Sequence, residues 1–237
     1  FNKNACKIIK TKSIDVWIET ILHRYPRIVD RRNNSVITID PSGSKDFDDG
    51  FGITYNSSSE ITISIYIANV TIWIELFKLW DFFSKRISTI YLPDQKKSML
   101  PSILSDNICS LKINEPRVAF TMDITINKAT CEITDIKYLN SIICVEKNYV
   151  YDELSLNSNL TYSEIFNIVT NIKNKYPYLT AINDSHDVVA YLMILMNHKS
   201  AQLMTSYKNG IYRSMDKNSI SGIETPPELN FLKYWKC

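Results

Sequence analysis

Four aspartates crowd one bend of this chain. In "VITIDPSGSKDFDDGFGI", residues 36–53, Asp40, Asp46, Asp48 and Asp49 lie around the turn Pro41-Ser42-Gly43. Like charges held a few ångströms apart raise each other's pKa and strain the local fold unless something positive sits among them. A lone Asp-rich turn is ordinarily a solvated loop or a cap, but four carboxylates at one bend point to a bound polyvalent cation. In an extended stretch Asp46 and Asp48 share a side while Asp49 points away, so convergence requires the loop to curl back toward Asp40. A calcium-binding EF-hand loop needs Gly at its sixth position and Glu at its twelfth; counted from Asp40 these are Lys45 and Phe51, and that reading fails. Oxygen donors with no His or Cys nearby select Mg²⁺ or Mn²⁺ over zinc. Magnesium completes its shell with water and substrate phosphate, so the cluster predicts a phosphate-bearing substrate. Two such ions ~3.5–4 Å apart would suit in-line displacement at a phosphodiester.

The surrounding sequence must hold these carboxylates in place. "SVITID" is β-rich and stops at Asp40, which puts the first carboxylate at the end of a strand. "SEITISIYIANV" alternates Ile61, Ile63, Ile65 and Ile67 on one face and reads as a neighbouring strand. "RVAFTMDITIN" and "TCEITDIKYLN" read as an antiparallel hairpin turning near Asn127 and Lys128. Helical periodicity appears over residues 13–25, where Pro26 ends it, and again over residues 72–87. A Thr161/Glu164 capping box opens a helix over residues 161–176, and a longer, buried helix covers residues 185–207. Directly after the helical stretch at 72–87, residues 88–111 carry Pro93 and Pro101 and read as a long irregular segment. Loops of that length are usually functional.

Composition sets limits. The 237 residues are 45% hydrophobic and 22% charged, enough apolar material for a sizeable core. A net charge of +2 is too mild to announce a nucleic-acid binder; basic groups at Lys3–Lys12 and Arg24–Arg32 precede the acidic loop and read equally well as solvated surface. Five scattered cysteines without a CxxC pair suit a reduced intracellular protein. The most apolar run, residues 191–196, is far short of the ~20 residues that span a bilayer. The expected chain is soluble and intracellular, in the cytoplasm, with no membrane partner. Its abundance of Asn, Ile, Lys, Ser and Tyr suggests an AT-rich viral or protist genome.

"IDPSGSKDFDDG", with carboxylates at offsets of six, eight and nine from Asp40, resembles the signature of the ribonuclease II / ribonuclease R (RNB) family of 3'-to-5' exoribonucleases. "ISIYIANVTIWI", "KRISTIYLPDQKKSMLPSILSDNICSL", "RVAFTMDITIN" and, further on, "YLMILMNHKSA" with "GIYRSMD" resemble later blocks of the same family in the same order. The resemblance implies an α/β (α+β) RNB-type core, a mixed and largely antiparallel sheet flanked by helices. It implies a Mg²⁺ site (Mn²⁺ as the substitute) at Asp40, Asp46, Asp48 and Asp49, with Asp48 the carboxylate on which the chemistry depends most. Tyr91 matches the tyrosine that packs near the 3'-terminal nucleotide and helps fix it for cleavage. Arg213 matches a family arginine read as structural; His186, His198 and Cys109 are read as packed or exposed side chains.

The implied activity is metal-dependent hydrolysis of single-stranded RNA from its 3' end, releasing nucleoside 5'-monophosphates. The expected organisation is a helical, basic lead-in at 1–35, a partial RNB domain at 36–216 and a loop-rich tail at 217–237. Gly50 stands where the family has Ala, a small-for-small exchange expected to preserve the site while loosening the loop, and Asn69 where it has Asp. The chain stops at Cys237 before the family's catalytic-arginine segment and carries none of its OB-type domains. This motivates a second reading, a catalytically impaired relative that binds RNA or serves in assembly. It also leaves room for a protein partner, or further domains, to complete the RNA channel.

Overall fold

A computed structural model describes residues 7, 9–80, 89–94, 96–97, 99–210 and 212; of Tyr91, Lys96 and Lys97 it describes the backbone alone. The chain divides into two compact units, Phe1–Ile165 and Phe166–Cys237.

The first unit is built on a seven-stranded sheet. Its strands are β1 (Val29–Arg31), β2 (Val36–Asp40), β3 (Asp49–Tyr55), β4 (Glu60–Ala68), β7 (Pro116–Asn127), β8 (Glu132–Cys144) and β9 (Lys147–Val150), in the spatial order β1-β8-β7-β4-β3-β2-β9. A separate antiparallel pair, β5 (Ile90–Tyr91) with β6 (Lys96–Lys97), lies in the segment read as irregular. The run from β8 through β2 is antiparallel, whereas β1 pairs with β8, and β2 with β9, in parallel. The mixed, largely antiparallel sheet flanked by helices is the one expected.

The two parallel pairings curl the sheet. β1 runs almost directly into β2, and β8 into β9, so one continuous stretch of chain zips beside another: Val29 faces Ser141 and Ile37 faces Lys147. The gap between the two zips is bridged by the Glu146 N–H donating to the Val36 carbonyl at 2.8 Å. Strands at opposite ends of the spatial order are thereby drawn together. Their concave face collects Val36, Tyr66, Leu111, Ala119, Ile143 and Val145 into one small core, although β2 and β8 are four strands apart.

The convex face is covered by helices. α1 (Ile14–Arg24) is capped by the Ser13 hydroxyl, which accepts from the Val16 N–H, and buries Ile18 and Ile21. α2 (Val70–Leu76) buries Ile72, Trp73 and Ile74, and both helices share a core with Val118 and Ile142. Each such side chain removed from water contributes about 1.5–3 kcal/mol. The helix expected to run to residue 87 stops at Leu76. Lys78 takes a left-handed conformation (φ 53°), its N–H donates to Glu75 O at 3.1 Å, and the Leu79 N–H donates to Ile74 O at 2.8 Å. This is a Schellman stop made without glycine, closed by burial of Leu79 against the same core as Ile74. Residues 81–87 of the expected helix lie outside the described residues.

Two further helices complete the description. α3 (Leu160–Ile172) is capped by Asn159, whose side-chain oxygen accepts from the Tyr162 N–H at 2.9 Å, two residues earlier than the expected Thr161/Glu164 box. The Thr161 hydroxyl instead lies 3.3 Å from that of Ser35. In the second unit, α4 (Ser185–Ser206), capped by Asp184, buries Val188, Tyr191, Leu192 and Leu195 as expected. His198 is buried there, its Nδ1 2.6 Å from the Tyr178 hydroxyl, a packed histidine. The expected tail and Arg213 lie outside the described residues.

Candidate active site

The four aspartates sit where β2 ends and β3 begins. Asp40 closes β2 opposite Val150, and Asp49 opens β3 opposite Ile67. The connection between them turns at Gly43, whose φ of 80° is a conformation glycine adopts without cost. The turn is tightened by Ser44, whose N–H and hydroxyl both donate to the Pro41 carbonyl.

The return limb, Lys45 to Asp48, is held on two sides. On one side the Ala68 N–H at the end of β4 donates to the Asp48 carbonyl at 2.8 Å. On the other, the Ser110 hydroxyl accepts from the Phe47 N–H at 3.0 Å and donates to the Lys45 carbonyl at 3.3 Å, while the Leu111 N–H donates to the Phe47 carbonyl at 2.8 Å. The Phe47 ring packs against the concave core. Alternation along the limb therefore turns Asp46 and Asp48 away from that core.

The four carboxylates lie near enough to feel one another's charge. Asp40 is pushed up to about 7, first by burial and then by the charges of Asp49, Asp48 and Asp46, with a hydrogen bond from Thr38 acting the other way. Asp49 rises to about 6, again through burial and then the charge of Asp48. One oxygen of Asp40, Oδ2, is buried with no hydrogen-bond partner. A buried anionic oxygen left bare is costly unless it is protonated or meets a cation. Among the described residues, no three His, Cys, Asp or Glu side chains stand in a ready-made metal cage. The donor chemistry and the bare oxygen fit a hard divalent cation; a common ligand geometry would require the side chains to draw inward.

Tyr151 is a neighbour that the sequence did not single out. Its N–H donates to the Asp40 carbonyl at 3.2 Å, and its phenol is pushed up to about 12 by burial and then by the charges of Asp49 and Asp40. Only the parallel β2–β9 pairing brings it there, and no local pattern marks it. Tyr91 lies in β5, opposite Lys96; its side chain is outside the described residues. Cys109 is core, 2% exposed, and burial pushes its thiol up to about 12.

The two departures noted in the sequence have local explanations. Gly50 lies within β3 rather than in the loop, and a Cβ there would meet Val36 Cγ1 at 3.3 Å, so it allows close packing of β3 on β2 instead of loosening the bend. Asn69 caps α2 through its side-chain oxygen, which accepts from the Ile72 N–H at 3.2 Å, and its amide donates to Asn140 Oδ1 at 2.8 Å. An aspartate would keep the cap but lose that donor.

Fold and site together define a curled α/β protein with an aspartate cluster at a strand junction, a donor set suited to cation-assisted chemistry on phosphates. The RNB domain model matches residues 28–165, and the chain belongs to the RNB family. It is 36% identical over 126 residues to Ribonuclease R of Chlamydia trachomatis, covering 53% of this chain and 18% of that protein. To Exoribonuclease 2 of Serratia proteamaculans it is 34% identical over 120 residues, covering 50% and 19%. The chain thus spans about a fifth of the length of these curated relatives. Among solved structures, Mycoplasma genitalium RNase R in complex with double-stranded RNA superposes with a TM-score of 0.72 at 20% identity, covering 90% of this chain and 44% of that one. At that identity the likeness shows the fold. No helix among the described residues is long and apolar enough to cross a membrane.

Proposed function

We propose that the chain carries the catalytic carboxylates of a hydrolytic 3'-to-5' exoribonuclease that acts on single-stranded RNA and releases nucleoside 5'-monophosphates with Mg²⁺ or Mn²⁺. The observation that carries this reading is the bare buried oxygen of Asp40, whose carboxyl is raised first by burial and then by the charges of Asp49, Asp48 and Asp46, within a matched RNB domain. A bound divalent cation would make a water nucleophilic near neutral pH and offset the charge that builds on the phosphate.

The protein's own part is to hold and tune the donors. Asp40 and Asp49 are raised toward neutrality, so each gives up a proton when a cation binds, and cation affinity falls as pH drops through about 7 and 6. Asp46 and Asp48 lie on a limb whose backbone is fixed by hydrogen bonds on both sides, so engaging a cation would move their side chains rather than the chain. The Tyr151 phenol keeps its proton at neutral pH and remains a donor beside the carboxylates. Tyr91 would pack against the 3'-terminal nucleotide.

The test is degradation of a 5'-labelled single-stranded oligoribonucleotide with Mg²⁺ or Mn²⁺ present. The wild-type chain should shorten it stepwise from the 3' end, and Asp48→Asn should be slower by at least about 10³-fold, as expected when a group stabilising the transition state is lost. Equal rates in wild type and variant would refute the assignment of the site.

A further inference from the structure

The acidic limb is not held by its own residues. Its shape is set by Ser110 and Leu111, which run beside Lys45–Phe47 and make three hydrogen bonds to that limb. Ser110 is fully buried, so its hydroxyl has no water to fall back on. The short segment is itself anchored from two directions. The Arg117 Nε donates to the Ser110 carbonyl at 2.7 Å, and the Asn148 side-chain amide donates to the Leu111 carbonyl at 2.9 Å.

Both anchors are secured in turn. Arg117, on β7, is 1% exposed, donates to the Pro116 carbonyl at 3.0 Å and is paired with Glu115. Asn148, on β9, also donates to the Thr38 hydroxyl at 2.9 Å, and its Oδ1 accepts from the Ile113 N–H at 2.9 Å. A π-helical turn, Leu104–Ile108, delivers the chain into the segment, and such turns are frequent at functional sites. Besides its ion pair with Glu115 and its bond to Pro116, the buried guanidinium reaches one backbone carbonyl of the neighbouring segment, and that contact fixes where Ser110 sits.

We infer that Ser110 is a positioning residue that sets the spacing of Asp46 and Asp48, with Arg117 and Asn148 fixing the segment that presents it. The inference rests on the metal-dependent reading of the aspartates for its consequence, but its structural content is independent of turnover. Phe47 lies between the two carboxylates and is held through its N–H, its carbonyl and its ring. Releasing the Ser110 hydroxyl frees the N–H and lets the two side chains separate, while the ring and the carbonyl still hold the limb in the fold.

The experiment uses the full chain. In wild type, amide hydrogen exchange resolved by NMR should show the Phe47 N–H protected together with that of Leu111; an unprotected Phe47 amide would overturn the inference without any variant. Ser110→Ala should speed exchange at Phe47 by about fivefold or more and weaken Mn²⁺, followed by its electron paramagnetic resonance signal, by a similar factor, as losing about one hydrogen bond implies. Near-ultraviolet circular dichroism should stay native. Ser110→Thr, which restores the hydroxyl, should recover both readings. Wild-type exchange and Mn²⁺ affinity in Ser110→Ala would overturn the inference. If wild type binds Mn²⁺ with Phe47 protected but does not shorten RNA, the exoribonuclease proposal fails and the positioning role stands.

Discussion

Two carboxylates in this chain are buried almost equally and treated in opposite ways. Asp123 on β7 is 9% exposed and Asp40 at the end of β2 is 8% exposed, and strand alternation places both on the concave face of the sheet. Asp123 receives two hydrogen bonds from the Arg31 guanidinium, at 2.8 and 2.6 Å, and a third from the Ser64 hydroxyl at 2.7 Å. Arg31 is held in its charged form by that pairing. Asp40 feels the charges of three other carboxylates, has one bare oxygen and is pushed up to about 7, first by burial. The chain thus completes a buried ion pair where charge supports the sheet and leaves one incomplete where a cation could enter. Burial alone does not separate a structural carboxylate from a functional one; the company it keeps does.

Breaking the finished pair should do the most damage. Arg31→Ala leaves Asp123 buried without its cation and should destabilise the fold by about 3–5 kcal/mol, read as a lower urea midpoint. Removing the unfinished charge should do the reverse. Asp40 keeps its proton in the folded chain up to about pH 7 but titrates at 3.8 in an ordinary setting. Unfolding therefore releases a proton between those values, and stability falls as pH rises through that window. With chelator present, Asp40→Asn should be more stable than wild type by about 2 kcal/mol at pH 8 and equal to it below pH 4, in thermal unfolding. The figure is set below the full shift because part of that shift comes from neighbours that can move apart. A smaller effect should come from beside the site. Asn69→Ala, which removes the α2 cap and the link to Asn140, should cost about 1 kcal/mol, whereas Asn69→Asp should lose less because the capping oxygen remains.

The legible and illegible parts of the molecule divide along the same line, local pattern against remote company. The alternating isoleucines of β4, the turn at Gly43 and Asp40 at the end of its strand are all written in neighbouring residues, and the structure places each where its pattern indicates. Asn159 took the cap expected of Thr161 because both residue types can cap and only packing selects the register. The end of α2 was invisible because Lys78, a residue with no turn signature, adopts the left-handed conformation. Ser110, Asn148 and Tyr151 reach the site through contacts spanning tens of residues, and Arg117 acts through Ser110; no spacing announces them.

The sheet's double parallel zip has a consequence for how the protein comes into being. Asp40 is seated beside Val150, about 110 residues later in the chain, and the Asp40 carbonyl is met by the N–H of Tyr151. Pairings so distant are slow to form, because the entropy of closing the loop must be met before any contact repays it. A chain emerging in order would hold all four aspartates from early on, yet could not assemble the pocket around them until β9 arrived. The setting of Asp40 is therefore complete only once β9 has paired with β2.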